Sequence, residues 1–469
     1  MKKTLAMALG ALLTVGSAAP AFAASQINFS GLYRMYFNNT WNQTTTSSEL
    51  ATHDSYFGNR LELNLAFHAT DEVSVYWRMR APNFQRWGET GSLGAITRFV
   101  YGVVEQDWGT VSIGRLADRF GYLGLHNLGW APGGVETVNT AWQPFDWDRP
   151  IDGARWANRW DSGFQLVAQF NRLQSRQTNY SGQGLSDEEF SDLFVLEPAY
   201  YWEGGGATLG LQYLRDRVGL TGFTGADEDA EPPASGPGSL RVFYINPSIA
   251  HSFGDFSIHF EGKAGWGKAD RLPLINSDLS DKVSGYAFYL DFDYNYGPGN
   301  VMLAGWWASG GKEGDTKFKG LVDMGTAFQP LIVAHNGYTY WNRAFTSPIM
   351  EANKRSGAQG DLSNTDINGM NSSNHWGIVL TGGHSFTDDL TVRYALANLW
   401  LNKTKSGAGK NIGFEADLGF TIQLLDNLKF DTAFGYLFAG KALDETTDEG
   451  VFNKRSDSYN WFNTLTFSF

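Results

Sequence analysis

Arginine recurs along the first third of the chain, at Arg34, Arg60, Arg78, Arg80, Arg98 and Arg155. Each falls on the polar phase of a segment in which polar and apolar residues alternate. A guanidinium stays charged at any working pH and holds its donors in a planar fork. A set of them on neighbouring segments makes and breaks no bonds; it creates a positive field that attracts and filters small anions. Acids that could oppose this field follow in the stretch 116–151: Asp118, Glu136, Asp146 and Asp148, together with Arg119, Arg149 and the rings of Trp130, Trp142 and Trp147. Arg115 is ambiguous. It shares its phase with Val111 and Ile113, the apolar set, but Gly114 beside it could bend the backbone and turn it the other way.

Bond-making chemistry has little to stand on. There is no Cys, which removes disulfides, thiolate metal sites and a Cys nucleophile. The 8 His are scattered without metal-ligand spacing, and no G-x-S-x-G element, P-loop or dinucleotide fingerprint is present. His259 shares the polar phase with Glu261, which reads as lining rather than as a catalytic pair. No catalytic residue, cofactor or metal is expected.

The elements that must carry these residues are strands. Leu61, Leu63, Leu65 and Phe67 alternate with Arg60, Glu62, Asn64, Ala66 and His68. Further on, Ile412, Phe414, Ala416, Leu418, Phe420 and Ile422 alternate with Gly413, Glu415, Asp417, Gly419 and Thr421. Period two marks a strand with two different faces. Strands are expected at 26–37, 56–69, 73–80, 97–105, 110–115, 152–159, 164–172, 192–202, 207–216, 240–251, 256–266, 283–294, 300–309, 375–386, 390–400, 411–422, 428–438 and 459–469. That makes about 18. Two of them, 192–202 and 300–309, alternate weakly, so 16 is also compatible.

Connections alternate in length as well. Tight turns such as Asp161-Ser162-Gly163, Gly254-Asp255 and Gly297-Pro298-Gly299 are followed by long polar stretches such as 116–151, 217–239 and 310–374. Soluble sandwiches lack this rhythm, whereas transmembrane barrels have it, with short periplasmic turns and long outer loops. The strand at 459–469 puts Tyr459, Trp461, Leu465, Phe467 and Phe469 on one face, and pairing it with the first strand would remove both edges. Phe37, Trp77, Trp400, Phe438, Trp461 and Phe469 suit ring belts at the membrane interfaces. The fold class is therefore all-β: a single antiparallel transmembrane β-barrel.

Composition agrees. Charged residues make up 18%, aromatics 15%, Gly 55 of 469, and mean hydropathy is −0.30. A helical membrane protein would be far more hydrophobic, and a soluble α/β enzyme more charged. Lys2 and Lys3, the apolar run 4–15 and Ala21-Phe22-Ala23 read as a signal peptide at 1–23, leaving the barrel at 24–469. Removing a piece with two Lys and no acid takes the net charge from −13 to −15, which disfavours nucleic acid as a partner. The acidic runs 186–189, 227–231 and 444–449 fall in outer loops, as solvated faces or as sites for divalent cations or lipopolysaccharide. Ion selectivity stays open, because acids at the mouth and arginines on the wall pull opposite ways.

These residues resemble the trimeric outer-membrane general porins. Phe469 on an alternating strand is similar to the family's assembly signal. Trp108-Gly109-Thr110-Val111-Ser112-Ile113-Gly114-Arg115 resembles the turn and strand that precede the loop folded into the pore. Asp152-Gly153-Ala154-Arg155-Trp156 with Arg159-Trp160-Asp161-Ser162-Gly163-Phe164 resembles the strand and turn on the far side of that loop. The homotrimeric porins of sulphate-reducing bacteria are the group suggested. The resemblance implies a homotrimer in the Gram-negative outer membrane, in contact with its lipid and lipopolysaccharide. It also implies a third long loop folded into the lumen, Arg115 at the constriction, and passive diffusion of small hydrophilic solutes and ions, not enzymatic activity. General porins usually have 16 strands against the 18 counted here, and the family's Pro-Glu-Phe-Gly-Gly loop signature is absent. With the ring-rich third loop, the higher strand count makes a channel specific for a sugar or a small organic or inorganic anion the alternative.

Overall fold

Alternation forces each strand to choose between two solvents, and the structure shows which face meets which. The computed structural model describes residues 26–41, 53–81, 85–87, 95–118, 149–175, 190–216, 240–269, 282–311, 317–320, 331–333, 352, 374–404, 406–447, 450–453 and 457–469. The proposed signal peptide lies outside them, as do Glu136, Asp146 and Asp148 and therefore the course of the third long loop.

The wall is built from β1 (Gln26–Trp41), β2 (His53–His68), β3 (Val73–Arg80), β4 (Ile96–Gln106), β5 (Gly109–Asp118) and β6 (Arg149–Arg159). It continues through β7 (Phe164–Ser175), β8 (Phe190–Trp202), β9 (Gly205–Asp216), β10 (Leu240–Phe253), β11 (Phe256–Ala269) and β12 (Lys282–Asn295). It is completed by β13 (Gly299–Ala308), β14 (His375–Ser385), β15 (Leu390–Leu401), β16 (Asn411–Leu425), β17 (Leu428–Ala439) and β18 (Ser458–Ser468). Each strand pairs antiparallel with its neighbour in sequence, and β18 pairs with β1 from Leu32↔Ser468 to Trp41↔Tyr459. The weakly alternating segments form β8 and β13, so the closed barrel has 18 strands and not 16. A short strand, Gln85–Arg86, adds to β2 beyond the end of β3. Closure gives every wall strand two partners, which lipid demands.

Short turns gather at one rim. Gly163 (φ 85°) and Gly254 (φ 64°) sit there in the left-handed region that side-chain-bearing residues avoid. The outward face is apolar, as in the row Leu303, Leu380 and Leu396 on β13, β14 and β15, paired in register and all exposed. Rings bound it at both levels. At the short-turn rim, Phe29 lies 5.9 Å from Phe469, Trp160 stacks on Phe164 at 5.3 Å, and Tyr296 stacks on His384 at 5.8 Å. At the long-loop rim, Phe37 meets Phe57 at 4.7 Å and Trp461 at 5.6 Å, and Trp376 stacks on Trp400 at 4.1 Å. On β12 the two belts are Tyr286 and Tyr294. Eight residues of strand span about 27 Å, or about 20 Å along the normal at a tilt near 40°. That is close to the height of the apolar band of outer-membrane barrels. Among the described residues no helix is long and apolar enough to cross a membrane; the chain crosses with strands.

Candidate functional site: the inner wall of the barrel

The tight turn at 69–72 sets the register of β2 against β3, and with it the first cluster. Glu62 faces Arg80, Asn64 faces Arg78, and across β1 Arg34 faces Arg60. All lie on the lumen side. Glu62 is the hub: Arg80 Nε is 2.5 Å from its carboxylate, Arg78 Nε 3.2 Å and Arg60 Nη2 3.9 Å. Arg78 Nε also donates to Asn64 Oδ1 at 2.5 Å, and its guanidinium lies 4.7 Å over the Phe99 ring. Arg34 Nε donates to Thr466 Oγ1 at 3.1 Å across the closing seam. Arg155 lies farther round the same face, opposite Ser112 and Gln169. Arg60 and Arg80 are buried, whereas Arg34 and Arg78 are half-buried. The expected water-facing arginine wall is thus partly a buried cluster organised by one carboxylate.

Two other site residues are placed by backbone alone: Arg98 lies in β4 at the register shift opposite Arg78 and Met79, and Asp118 ends β5 opposite Arg149. Arg115 lies on the phase of the apolar set. It faces exposed Val100 on the lipid side, and Nε and Nη2 donate to the two Asp152 oxygens at 2.9 and 3.2 Å. Gly114 has φ 137°, yet the alternation continues through it, and Arg115 stays with Ile113 outside.

The opposite wall was not read from the sequence as a site. On β11 and β12, nine strands from β2 and β3, Glu261 and Asp291 are buried on the lumen face. His259 Nδ1 lies 3.2 Å from Asp291 Oδ2, and its Nε2 lies 3.5 Å from Ser248 Oγ. The order Ser, His, Asp imitates a hydrolase triad. However, Ser248 is held mid-strand between Thr208 and Glu261, and among the described residues no pair of N–H donors is seen aimed at it as an oxyanion site requires. The group reads as lumen lining. Lys263 follows on the same face, 4.5 Å over the Tyr244 ring.

A second surprise lies inside β16. Ile332 N–H donates to Asp417 Oδ2 at 3.2 Å and Val333 N–H to Glu415 Oε1 at 2.6 Å. Leu331, Ile332 and Val333 are all buried, so these three residues of the connection between β13 and β14 sit against the lumen face of β16. Gly435 on β17, opposite Asp417, makes the room: a Cβ there would come 2.7 Å from that of Ile332. Glu415 and Asp417 were visible in the sequence as the polar phase of a strand, but nothing in the segment they hold has a period that would announce it. Among the described residues no group of His, Asp and Glu could hold a metal ion.

The sequence matches no family model and no curated protein. The structure is similar to that of OccK9 (OpdG) of Pseudomonas aeruginosa at 14% identity, covering 95% of this chain and 98% of that one, with a TM-score of 0.54. It is also similar to OprD of Pseudomonas aeruginosa at 12% identity, covering 97% of each chain, with a TM-score of 0.51. At these identities the shared property is the fold, a closed 18-stranded barrel. With its apolar band and two ring belts, this chain is an outer-membrane barrel of the Gram-negative type.

Proposed function

We propose that the protein is a water-filled channel for passive diffusion of small hydrophilic solutes and ions across the outer membrane. The observation that carries this reading is the two-sided inner wall: Arg34, Arg60, Arg78 and Arg80 on β1, β2 and β3, against Glu261 and Asp291 on β11 and β12 across the barrel. Charges of opposite sign on opposing walls set up a transverse field that orders water and sorts solutes by dipole and charge. Asp118, Glu136, Asp146 and Asp148 would add to the acidic side if the third long loop folds inward. A homotrimer and a cleaved signal peptide at 1–23 complete the reading; both rest on the resemblance and the sequence. The alternative is a channel specific for a small anion, favoured by the arginine cluster on 18 strands.

The test is conductance of the purified protein in a planar bilayer under a salt gradient. Large ohmic steps support diffusion, and the reversal potential reports which wall dominates. Saturable block by one small carboxylate or sugar would replace diffusion with the specific-channel reading. A barrel that does not conduct overturns both. A heat-sensitive high-mass band on a denaturing gel tests the trimer.

A further inference from the structure

The lumen wall is not polar all the way round. Inward residues from β8 onward form one contiguous buried apolar cluster, among them Val242, Val283, Trp306, Val379, Leu399 and Leu437, each at most 3% exposed. Among the described residues, β1 to β7 contribute none of its members. Those strands present Arg34, Asn64, Arg78, Ser112, Arg155 and Gln165 to the lumen instead, all half-buried. The division depends on height. Near the short turns the wall is polar on both sides, with Asp291 four residues from the end of β12 and Glu261 five from the start of β11. Toward the long loops the inward positions turn apolar. Tyr289 and Ala287 succeed Asp291 on β12, Trp306 and Ala308 succeed Ala304 on β13, and Ala395, Ala397 and Leu399 succeed Arg393 on β15.

A purely water-filled lumen would wet these side chains and forfeit their burial. Part of their cover is in view. Phe318, Leu331, Ile332, Val333 and Ala352 all come from the connection between β13 and β14, and all belong to the same cluster. The connection is fixed at two levels. At the rim, Phe318 bridges to Val283 on β12, Ser284 N–H donates to its carbonyl at 2.9 Å, and Ser309 Oγ donates to the Lys319 carbonyl at 2.8 Å. Deeper, residues 331–333 are held by Glu415 and Asp417, which face Ala397 and Ala395 in register. We propose that the outer part of the lumen over β8 to β17 is a packed apolar core seated by this connection, and that water and solutes cross that level along β1 to β7. A path of this kind presupposes the water-filled channel proposed above. It runs off the barrel axis, and its wall is the arginine-bearing side rather than the whole circumference.

The chain has no Cys, so single-Cys variants report one position each. The purified barrel in lipid vesicles is exposed to a water-soluble cationic methanethiosulfonate, and the adduct is followed by intact mass. Asn64→Cys on β2 and Ala395→Cys on β15 stand at matching heights, four and five residues from the short-turn ends of their strands. Ser112→Cys adds a second position on the open side, and Val242→Cys samples the core at β10. The thiols at 64 and 112 should react at least about 100-fold faster than those at 395 and 242, where the core must first open locally. The arginines repel this reagent, so their field works against the expected result. Gly435→Val, whose Cβ would meet that of Ile332 at 2.7 Å, should unseat the segment and raise the Ala395→Cys rate about tenfold or more. Rates at 395 or 242 within about threefold of that at 64 overturn the proposal, as does slow labelling at both 64 and 112. An Ala395→Cys rate that Gly435→Val leaves unchanged overturns it equally. If Gly435→Val does not fold, as judged by heat-shifted gel mobility, Ile332→Asp takes its place with the same expectation and is read in the same way. Mass is the readout, so labelling is independent of conductance. A barrel that labels as expected but does not conduct in a planar bilayer would overturn the channel and leave the packed core in place.

Discussion

Replacing Glu62 with Gln isolates what the buried carboxylate does for the first three strands. The side chains are nearly equal in volume, so no cavity opens; what disappears is the charge facing Arg80, Arg78 and Arg60 at 2.5, 3.2 and 3.9 Å. Taking one partner from a buried ion pair costs about 3–5 kcal/mol, because the remaining charge stays buried without compensation. The low end applies here: Arg78 keeps 23% of its side chain exposed and can turn to water, whereas Arg80 at 4% cannot. A loss of about 3 kcal/mol is roughly 150-fold in the folding equilibrium. Urea unfolding of the barrel refolded into lipid vesicles, followed by Trp fluorescence, measures it as a shift in midpoint at constant slope. The companion variant Arg80→Met/Glu62→Gln also removes the deepest cation and puts an apolar stem in its place. It should lose less than the sum of the two single changes, with a coupling of about 1–3 kcal/mol. A Glu62→Gln midpoint equivalent to less than about 0.5 kcal/mol of change, or additive single variants, would refute the hub.

Two further outcomes arise from the two faces of the wall. Leu380 stands mid-strand on the lipid side between Leu303 and Leu396, so Leu380→Arg should cost about 2–4 kcal/mol in the same unfolding assay; an unmoved midpoint would mean that this face does not meet lipid. Glu415→Gln/Asp417→Asn replaces the carboxyl acceptors of the Val333 and Ile332 N–H groups by amides, weakening the hold on that segment by about 1 kcal/mol in all. Single-channel recordings should then show larger and noisier steps, and unchanged steps would place the segment outside the conducting path.

The strands were legible because lipid on one side and water on the other impose a period of two, and that period needs no knowledge of neighbours. Even the weak segments that became β8 and β13 were found by it, although ends slipped: β2 begins at His53 and β5 runs to Asp118. The site was only half legible for the same reason. Phase puts Arg60, Arg78 and Arg80 on one face, but it is the register of the hairpin at 69–72 that sets Glu62 opposite Arg80 and makes it their hub. That signal was available, since a tight turn fixes register. The inward segment 331–333 had no such signal, because its place is decided by two backbone hydrogen bonds and a missing Cβ at Gly435. At Arg115, phase and resemblance pointed opposite ways, and its register partner Val100 is the one that phase implies.

The seam between β1 and β18 has a consequence for how the molecule comes to exist. Arg34 and Thr466 are hydrogen-bonded although 432 residues apart, while the other wall pairings join strands that are consecutive in the chain. Hairpins can therefore form early and locally, but the last pairing must close a loop of nearly the full chain. The chain-entropy cost of that step grows only logarithmically with length, so it is tolerable, yet it is the contact of highest order and so the slow one. Until it forms, both edge strands expose unpaired backbone, an arrangement that lipid penalises and that invites pairing with other chains. The barrel is thus committed late, and a variant that weakens only this seam, at Arg34 or Thr466, would act on the rate of assembly before it acted on the finished wall.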